Sequence, residues 1–261
     1  MKYYINKTVL VTGASSGIGI SFSRLLASYG ADLVITARRK DRLEKLAEEI
    51  RGEFKSDVTI IACDLSEPES AVKLVEDIRK KDLKIDILVN NAGFGFNGLF
   101  MDGSAEMYEQ MMQLNMNTLV SLTRLLLPDM IRRGEGGVLN VSSMAGFLPI
   151  PYFTVYSATK QFVINFSRSL RRELKSTGVH VSVLCPGPVK TEFMSRAGVD
   201  SRKTAFRLPQ NPEVVALKGL QGLVRNRSLQ LSRSFLRIPY LLSRWLPVRL
   251  GLIIGEAAMK K

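Results

Sequence analysis

Short apolar runs alternate with longer amphipathic stretches along the chain as far as Leu184. The runs are continuous and rich in Val, Ile and Leu, which is typical of strands buried on both faces of a parallel sheet. They predict six strands, at 8–12, 33–37, 58–63, 85–89, 137–141 and 179–184. Apolar positions at helical spacing predict intervening helices near 17–29, 41–50, 70–81, 106–127 and 155–174. The pattern therefore predicts an α/β fold, a doubly wound parallel sheet of six to seven strands with helices on both faces.

Turn and cap residues set the expected boundaries of these elements. We expect Asp41 to cap the second helix and the long helix at 106–127 to end near Pro128. Because no linker, repeat or low-complexity tract interrupts the alternation, we predict one domain over 1–195 with a C-terminal extension at 213–261. In such a sheet, ligands bind beyond the carboxyl ends of the strands.

Composition excludes several classes of protein. Apolar residues make up 46% of the chain, which is ordinary for a globular protein, and no stretch has the roughly 18 uncharged apolar residues of a membrane-spanning helix. The segment Met1–Lys7 does not resemble a signal peptide, and the two cysteines, Cys63 and Cys185, are expected to be reduced and buried in a cytoplasmic protein. A single histidine, His180, excludes a multi-histidine metal site, so we predict no metal.

Positive charge is concentrated in the C-terminal part of the chain. The net charge is +13, and the segment from Lys190 onwards contains 14 basic residues but only four acidic ones. Without zinc-finger spacing or an aromatic RNA-binding motif, nucleic acid is not an expected partner. The tail also mixes leucines and Trp245 with regularly spaced arginines. Two interpretations stay open: short amphipathic helices in peripheral contact with an anionic membrane, or helices whose apolar face covers the substrate pocket or a subunit interface.

A glycine cluster follows the first predicted strand, in the segment Thr12-Gly13-Ala14-Ser15-Ser16-Gly17-Ile18-Gly19. Glycines let the backbone turn tightly and approach a pyrophosphate, and the next helix offers free N–H groups and its positive dipole end. The spacing Gly-x-x-x-Gly-x-Gly differs from the common dinucleotide motif. A turn without a ligand is the alternative for this motif taken alone.

Three cations, Arg38, Arg39 and Lys40, follow the second strand. An enzyme that uses NAD carries an acid at this point to hold the ribose 2′-hydroxyl. Asp32 lies at the wrong end of the strand, and Asp41 is assigned to the helix. Because cations attract a 2′-phosphate, the segment favours NADP(H), although a solvated charge run is the alternative.

Further polar residues stand at the ends of later strands or inside helices. Asp64 and Leu65 follow the third strand, Asn90-Asn91-Ala92-Gly93 the fourth, and Ser142-Ser143 the fifth, while Asn115 lies within an apolar helical stretch. Tyr156 and Lys160 are four residues apart and share a helix face, so that a nearby ammonium can lower the pKa of the phenol. Each of these patterns also occurs in ordinary turns and helix surfaces.

Taken together, in this order and spacing, the motifs resemble the short-chain dehydrogenase/reductase family in its compact, single-domain branch. The resemblance covers about residues 5–195 and implies a Rossmann-type fold. It implies a catalytic tetrad of Asn115, Ser143, Tyr156 and Lys160, in which Ser143 rather than Ser142 has the family's distance to the tyrosine. Tyr156 would protonate a carbonyl held by Ser143, Lys160 would hold the nicotinamide ribose, and Asn115 would support a water chain.

The resemblance also implies the residues that bind NADP(H). The pyrophosphate would lie on Gly13, Ser15, Ser16, Gly17, Ile18 and Gly19, and the 2′-phosphate on Arg38 and Arg39. Adenine would lie between Asp64 and Leu65, and its ribose against Asn91, Ala92 and Gly93. The nicotinamide would be oriented by Pro186, Gly187, Val189 and Thr191.

The implied activity is hydride transfer between NADP(H) and a carbonyl or alcohol. Apolar residues such as Phe153 and Phe193 suggest a lipophilic ketone, aldehyde, steroid or 3-oxoacyl substrate, with a lid at 192–212, although several of them would also serve only to pack that lid. An NADP-binding regulatory or scaffold protein without turnover is the alternative, and an epimerase or dehydratase on the same fold is a third. The family resemblance further implies a homodimer or homotetramer.

Overall fold

Seven parallel strands form one sheet in the computed structural model, which describes residues 1–199, 209–233, 238, 240, 241, 245 and 247–259. The strands are β1 (Thr8–Thr12), β2 (Asp32–Ala37), β3 (Val58–Ala62), β4 (Ile87–Asn90), β5 (Gly136–Val141), β6 (Val179–Cys185) and β7 (Leu229–Leu231). Their order is β3-β2-β1-β4-β5-β6-β7. The chain therefore reverses direction across the sheet between β1 and β4, which is where a doubly wound sheet opens a ligand crevice.

The described residues form nine α-helices: α1 (Ile18–Ser28), α2 (Lys40–Phe54), α3 (Ser70–Lys80), α4 (Ala105–Met112), α5 (Thr118–Arg133), α6 (Thr154–Glu173), α7 (Glu192–Arg196), α8 (Pro212–Val224) and α9 (Val248–Met259). One core cluster joins the sheet to α1, α2 and α8, through residues such as Phe22, Leu43 and Leu220. Another joins it to α3 and α5, through residues such as Leu74 and Leu122. Helices thus lie on both faces, and the predicted fold class is confirmed.

Two predicted helix boundaries are wrong. The second helix begins at Lys40 with Arg39 at the N-cap, so Asp41 lies in the first turn and does not cap it. There its carboxylate still faces the positive end of the helix dipole. The long helix continues past Pro128 to Arg133. Gly134 follows as its C-cap, in the left-handed conformation with a φ of +68°. Burial of Leu126, Leu127 and Met130 outweighs the missing N–H of the proline.

The first part of the tail also differs from expectation. Leu229 and Leu231 belong to β7, which pairs with β6 at the edge of the sheet. Leu223 belongs to α8 and is fully buried, because α8 packs on α1 and β6. Leu229 and Leu231 therefore lie in a strand and not in an amphipathic helix, whereas Leu223 lies on a helix that packs into the core of the same domain. Among the described helices, none has the length and apolarity that crossing a membrane requires.

The single histidine has a packing role in β6. The His180 ring stacks on Tyr3 with centroids 5.4 Å apart, and its Nδ1 is 3.1 Å from the Leu223 carbonyl oxygen. Cys63 and Cys185 are free thiols, and burial raises the pKa of both. Packing accounts for His180 and Cys185, whereas Cys63 is only half-buried, contrary to the expectation from the sequence.

Candidate active site

The glycine loop joins β1 to α1 at the carboxyl edge of the sheet. Gly13 and Gly17 have φ of +68° and +55°, which favours glycine at both positions. A Cβ at Gly19 would lie 2.2 Å from the Gly13 carbonyl oxygen, so Gly19 lets the helix pack directly on the loop. Ser15, Ser16, Gly17 and Ile18 face the adjoining cavity beside the start of α1. A helix N-terminus of this kind attracts phosphate groups.

Arginines and carboxylates meet where β2 ends. The Arg38 guanidinium is 3.6 Å from an Asp64 carboxylate oxygen, and its side chain is 65% exposed. Arg39 reaches the opposite way, to the carbonyl and hydroxyl oxygens of Ser15, each at 3.4 Å, and to Glu192 at 3.1 Å. Of the three cations predicted from the sequence, Arg39 therefore borders the glycine loop and Arg38 lies beside Asp64, whereas Lys40 pairs with Glu44 away from the cavity.

Asn91 and Asn115 hold backbone segments around the site. The Asn91 side chain donates to the Thr12 carbonyl at 2.9 Å, tying the end of β4 to the end of β1. Asn115 lies in a π-helical segment, Gln113–Asn117, between α4 and α5. Its side chain accepts from the Phe94 N–H at 3.2 Å and donates to Thr159 Oγ1 at 3.1 Å. A π-helical turn often marks a functional site.

Ser143, Tyr156 and Lys160 converge from β5 and α6. A hydrogen bond between Ser143 and the Tyr156 phenol lowers the pKa of the tyrosine, but burial acts more strongly and raises it. The Lys160 ammonium lies 5.6 Å from the Tyr156 ring centroid and donates to the Val141 carbonyl at 3.0 Å. Burial lowers the Lys160 pKa to about 8. The expected lowering of the Tyr156 pKa by Lys160 is therefore absent in this geometry, because desolvation dominates at a buried phenol.

The two neighbouring serines have different environments. Ser142 is buried and its hydroxyl donates to the Lys160 carbonyl at 2.7 Å, which ties β5 to α6. The Ser143 hydroxyl accepts from the Ala145 N–H at 3.1 Å and stays beside the phenol. Only Ser143 thus has a hydroxyl next to Tyr156, in agreement with the spacing argument.

Aromatic and apolar side chains surround the tyrosine. Its ring lies 4.4 Å from that of Phe153 and 5.3 Å from that of Phe193, measured between centroids. Met259 of α9 belongs to the same buried cluster. A Cβ at Gly255 would lie 3.1 Å from the Pro149 carbonyl oxygen, so α9 packs closely on the loop before α6. One face of the C-terminal helix is therefore a wall of the site.

A single cavity of about 1230 Å³ connects these groups. Pockets for small ligands usually have about 300–1000 Å³, so this one has room for a dinucleotide and a substrate together. It is lined by the following predicted site residues: Gly13, Ser15, Ser16, Gly17, Ile18, Arg38, Arg39, Asp64, Leu65, Asn91, Ala92, Gly93, Ser143, Phe153, Tyr156, Lys160, Pro186, Gly187, Val189, Thr191 and Phe193.

Two predicted residues lie behind the lining of this cavity, and residues of the predicted lid and tail also line it. Gly19 and Asn115 support the loop and the Phe94 backbone rather than facing the cavity. Gln110, Glu192, Arg196 and the α9 residues Ile254, Gly255, Ala257 and Met259 also line it. Glu192 and Arg196 lie in the segment predicted as a lid, and the α9 residues agree with the interpretation in which the apolar face of the tail covers the pocket. No sequence motif marks Gln110, whose contact depends on where α4 packs.

Comparison with known proteins bears directly on this arrangement. A family model described as short chain dehydrogenase matches residues 7–201. The chain belongs to the short-chain dehydrogenase/reductase family. It is therefore an oxidoreductase with a nicotinamide-binding fold that acts on CH–OH or C=O groups. Among the described residues, no group of three or more His, Cys, Asp or Glu side chains is arranged to hold a metal ion.

Individual members of the family are similar over most of the chain. The human very-long-chain 3-oxoacyl-CoA reductase is 36% identical over 193 residues, which cover 72% of this chain and 61% of that protein. A short-chain dehydrogenase from Sphingobium yanoikuyae, solved in complex with NADPH, is 32% identical with a TM-score of 0.84, over 95% of each chain. A family member from Burkholderia phymatum in complex with NAD, 23% identical over 97% of each chain, shares the fold with a TM-score of 0.84.

Proposed function

We propose that this short-chain dehydrogenase/reductase is an NADP(H)-dependent enzyme that reduces a lipophilic carbonyl compound or oxidises the corresponding alcohol. The convergence of Ser143, Tyr156 and Lys160 on a cavity that also borders Arg38 and Arg39 carries this proposal. Glycines stand where side chains would fill the site: a Cβ at Gly93 would lie 2.9 Å from Asn115 Oδ1 and 3.3 Å from Lys160 Nζ. The residues present thus fit a nicotinamide dinucleotide.

The chain's own residues would provide positioning and proton transfer, while the bound nicotinamide supplies the hydride. Burial raises the pKa of Tyr156, so the phenol keeps its proton at neutral pH and suits the role of acid in carbonyl reduction. Ser143, which already bonds to the phenol, would donate to the same carbonyl oxygen. Lys160 would hold the nicotinamide ribose, and Asn115 would position Phe94 and α6 and support proton resupply.

The preference for NADP(H) over NAD(H) is proposed from charge at the end of β2. Arg38 and Arg39 line the cavity there, and the only nearby acid on the strand, Asp32, lies at its opposite end. A ribose diol would lack a carboxylate partner at the end of β2 itself, whereas a 2′-phosphate would find guanidinium groups there. The NADPH complex of the Sphingobium yanoikuyae enzyme is consistent with this preference.

A lipophilic substrate is proposed from the apolar end of the cavity. Phe94, Ile150, Phe153, Phe193 and Met259 line it near the phenol. The similarity to a very-long-chain 3-oxoacyl-CoA reductase makes 3-oxoacyl compounds one class to test, beside ketones, aldehydes and steroids. We also propose that 1–195 forms the cofactor domain, that 192–212 forms a lid over this end, and that 213–261 extends the same domain. Residues 200–208 of that lid lie outside the described part of the chain.

Three further proposals concern the whole protein. By resemblance to its family, the chain forms a homodimer or homotetramer. The exposed face of α9 contacts anionic membrane surfaces, since Leu252 and Ile253 are exposed there beside Arg249. The predicted location is cytoplasmic with peripheral membrane contact, for which cell fractionation is the measurement.

Turnover of a panel of ketones, aldehydes, steroids and 3-oxoacyl thioesters, followed by NADPH absorbance, tests the activity. We expect NADPH to bind more tightly than NADH, and Arg38→Ala to weaken NADPH binding about ten- to a hundredfold with little effect on NADH, the typical cost of a charge-assisted bond. Arg24→Ala is the control, because Arg24 pairs with Glu49 on the surface outside the cavity. Equal affinity of the wild type for the two cofactors would contradict the preference, and absent turnover across the panel would contradict the activity.

A further inference from the structure

Glu192, the first residue of α7, lies at the junction of three parts of the cofactor cavity. It follows Thr191, whose side chain would be 2.8 Å from a Cβ at Gly17 of the glycine loop. Its carboxylate also faces the cations that follow β2, and it lines the cavity itself. A charged group at this junction attracts or repels the charged groups of a ligand that binds between the glycine loop and the end of β2.

Both oxygens of this carboxylate are engaged by arginines. Oε1 is 2.6 Å from Arg42, and Oε2 is 3.1 Å from Arg39 and 2.9 Å from Arg196 of the same helix. The hydrogen bonds from Arg42 and Arg39 lower the Glu192 pKa to about 2, so the group is an anion throughout the neutral range. Arg39 keeps its second nitrogen on Ser15 of the glycine loop at 3.4 Å. The carboxylate therefore neutralises one of the two arginines assigned to the 2′-phosphate.

We propose that Glu192 affects cofactor specificity by competing with the ribose 2′-phosphate for Arg39, an inference that rests on the proposed function. A phosphate monoester carries nearly two negative charges at neutral pH. It is repelled by Glu192 and can bind Arg39 fully only by drawing this arginine away from the carboxylate. The uncharged diol of NADH experiences neither effect. Glu192 thus limits the affinity for NADPH and reduces the ratio of NADPH affinity to NADH affinity.

An alternative role for Glu192, that of orienting Arg39, makes the opposite prediction for NADPH binding. If Glu192 served to orient Arg39 towards the phosphate, removing its charge would weaken NADPH binding. The observed contacts favour competition, because Oε1 bonds to Arg42 and Oε2 is shared by Arg39 and Arg196. Arg42 and Arg196 remain as partners for Glu192 when the phosphate takes Arg39.

Direct binding to the Glu192→Gln variant tests the proposal, by titration calorimetry with NADPH, NADH, adenosine 2′,5′-bisphosphate and adenosine 5′-monophosphate. We expect affinity for the two 2′-phosphorylated ligands to rise about three- to tenfold, the range for one like charge in a solvent-screened site, and the other two to change less than twofold. Glu192→Asp, which retains the charge, should stay near the wild type. Because the Glu192 side chain is 43% exposed, the variants lose no buried contact.

Glu213→Gln is the matched control, since Glu213 lies in the first turn of α8 and outside the cavity. It should alter none of the four affinities, and 0.5 M NaCl should reduce the effect of Glu192→Gln by screening. Weaker binding of the 2′-phosphorylated pair to Glu192→Gln, or equal changes for all four ligands, would overturn the proposal. A wild type with no preference for NADPH would instead overturn the proposed function, and a selective gain in Glu192→Gln would still support competition.

Discussion

At the scale of single residues, the Tyr156 phenol combines burial with aromatic packing. Its ring contacts Phe153 and Phe193, and burial raises its pKa. Tyr156→Phe should keep these contacts and bind NADPH within about twofold of the wild type, but turnover should fall about 10²–10⁴-fold, the usual contribution of a general acid. The measurements are the rate constant and the NADPH dissociation constant. Tyr152→Phe, a neighbour outside the cavity lining, is the control, and near wild-type turnover in Tyr156→Phe would contradict the assignment.

Lys160 illustrates how a functional residue destabilises the fold. Burial lowers its pKa from 10.5 to about 8, so the unfolded chain binds this proton more tightly than the folded chain. The buried charge therefore reduces stability fully below about pH 8, and this penalty disappears as pH rises towards 10.5. Lys160→Met should raise the melting temperature at pH 7, by roughly 2–4 °C for each kcal/mol of this penalty that is removed, while abolishing turnover.

Melting temperatures of Lys160→Met and the wild type at higher pH test whether desolvation of the ammonium causes the difference. The gain in melting temperature of Lys160→Met over the wild type should shrink between pH 8 and pH 10.5, because the wild-type lysine loses its charge in that interval. Lys40→Met, which removes an exposed lysine paired with Glu44, should show no such dependence. A gain that stayed constant across this range would show that desolvation of the ammonium is not its cause.

At the scale of elements, the packing of α1 on the glycine loop depends on Gly19. A Cβ there would lie 2.2 Å from the Gly13 carbonyl oxygen and 2.9 Å from the Asn91 side chain. Gly19→Ala should displace the loop, lower the free energy of unfolding by about 1–3 kcal/mol, and weaken NADPH and NADH alike. In α2, a Cβ at Gly52 would have no neighbour within 4 Å. Gly52→Ala should therefore raise the free energy of unfolding by about 0.5–1 kcal/mol and leave the affinities for NADPH and NADH unchanged. Calorimetry and denaturant titration measure both effects, and similar results for the two variants would contradict this role.

At the scale of the whole molecule, α9 has two faces with different environments. Gly255 and Met259 are buried against the site, whereas Val248 and Ile253 are exposed, as is Trp245 before the helix. With the basic tail, this face should bind vesicles of anionic lipid in a salt-sensitive way and not neutral vesicles, at about 1 kcal/mol per cation near the surface. Combined Trp245→Ser and Ile253→Ser should abolish co-sedimentation, while Val72→Ser on α3 should not. No binding by the wild type at low salt would exclude the membrane proposal.

The oligomeric state is also a property of the whole molecule. Phe162 on α6 is 41% exposed and stacks on Phe166 with centroids 6.0 Å apart, which leaves an apolar pair at the surface of a long helix. We expect light scattering to show a dimer or tetramer at micromolar concentration, and Phe162→Asp to shift it towards the monomer. A wild type that is monomeric throughout this range would contradict the prediction.

The amino-acid sequence by itself determined the sheet and the positions of the polar clusters. Continuous apolar runs report burial on both faces, and glycines or polar residues at their ends report the crevice, because both signals are local. The seven parallel strands confirm the predicted fold class. Tertiary structure decided what depends on distant contacts: Pro128 stays inside α5, Leu229 and Leu231 enter the sheet, and Gly19 supports the loop. It also decided that Glu192 meets Arg39 and Arg42 and that α9 closes the cavity, since these groups lie about 150 residues apart or at the end of the chain.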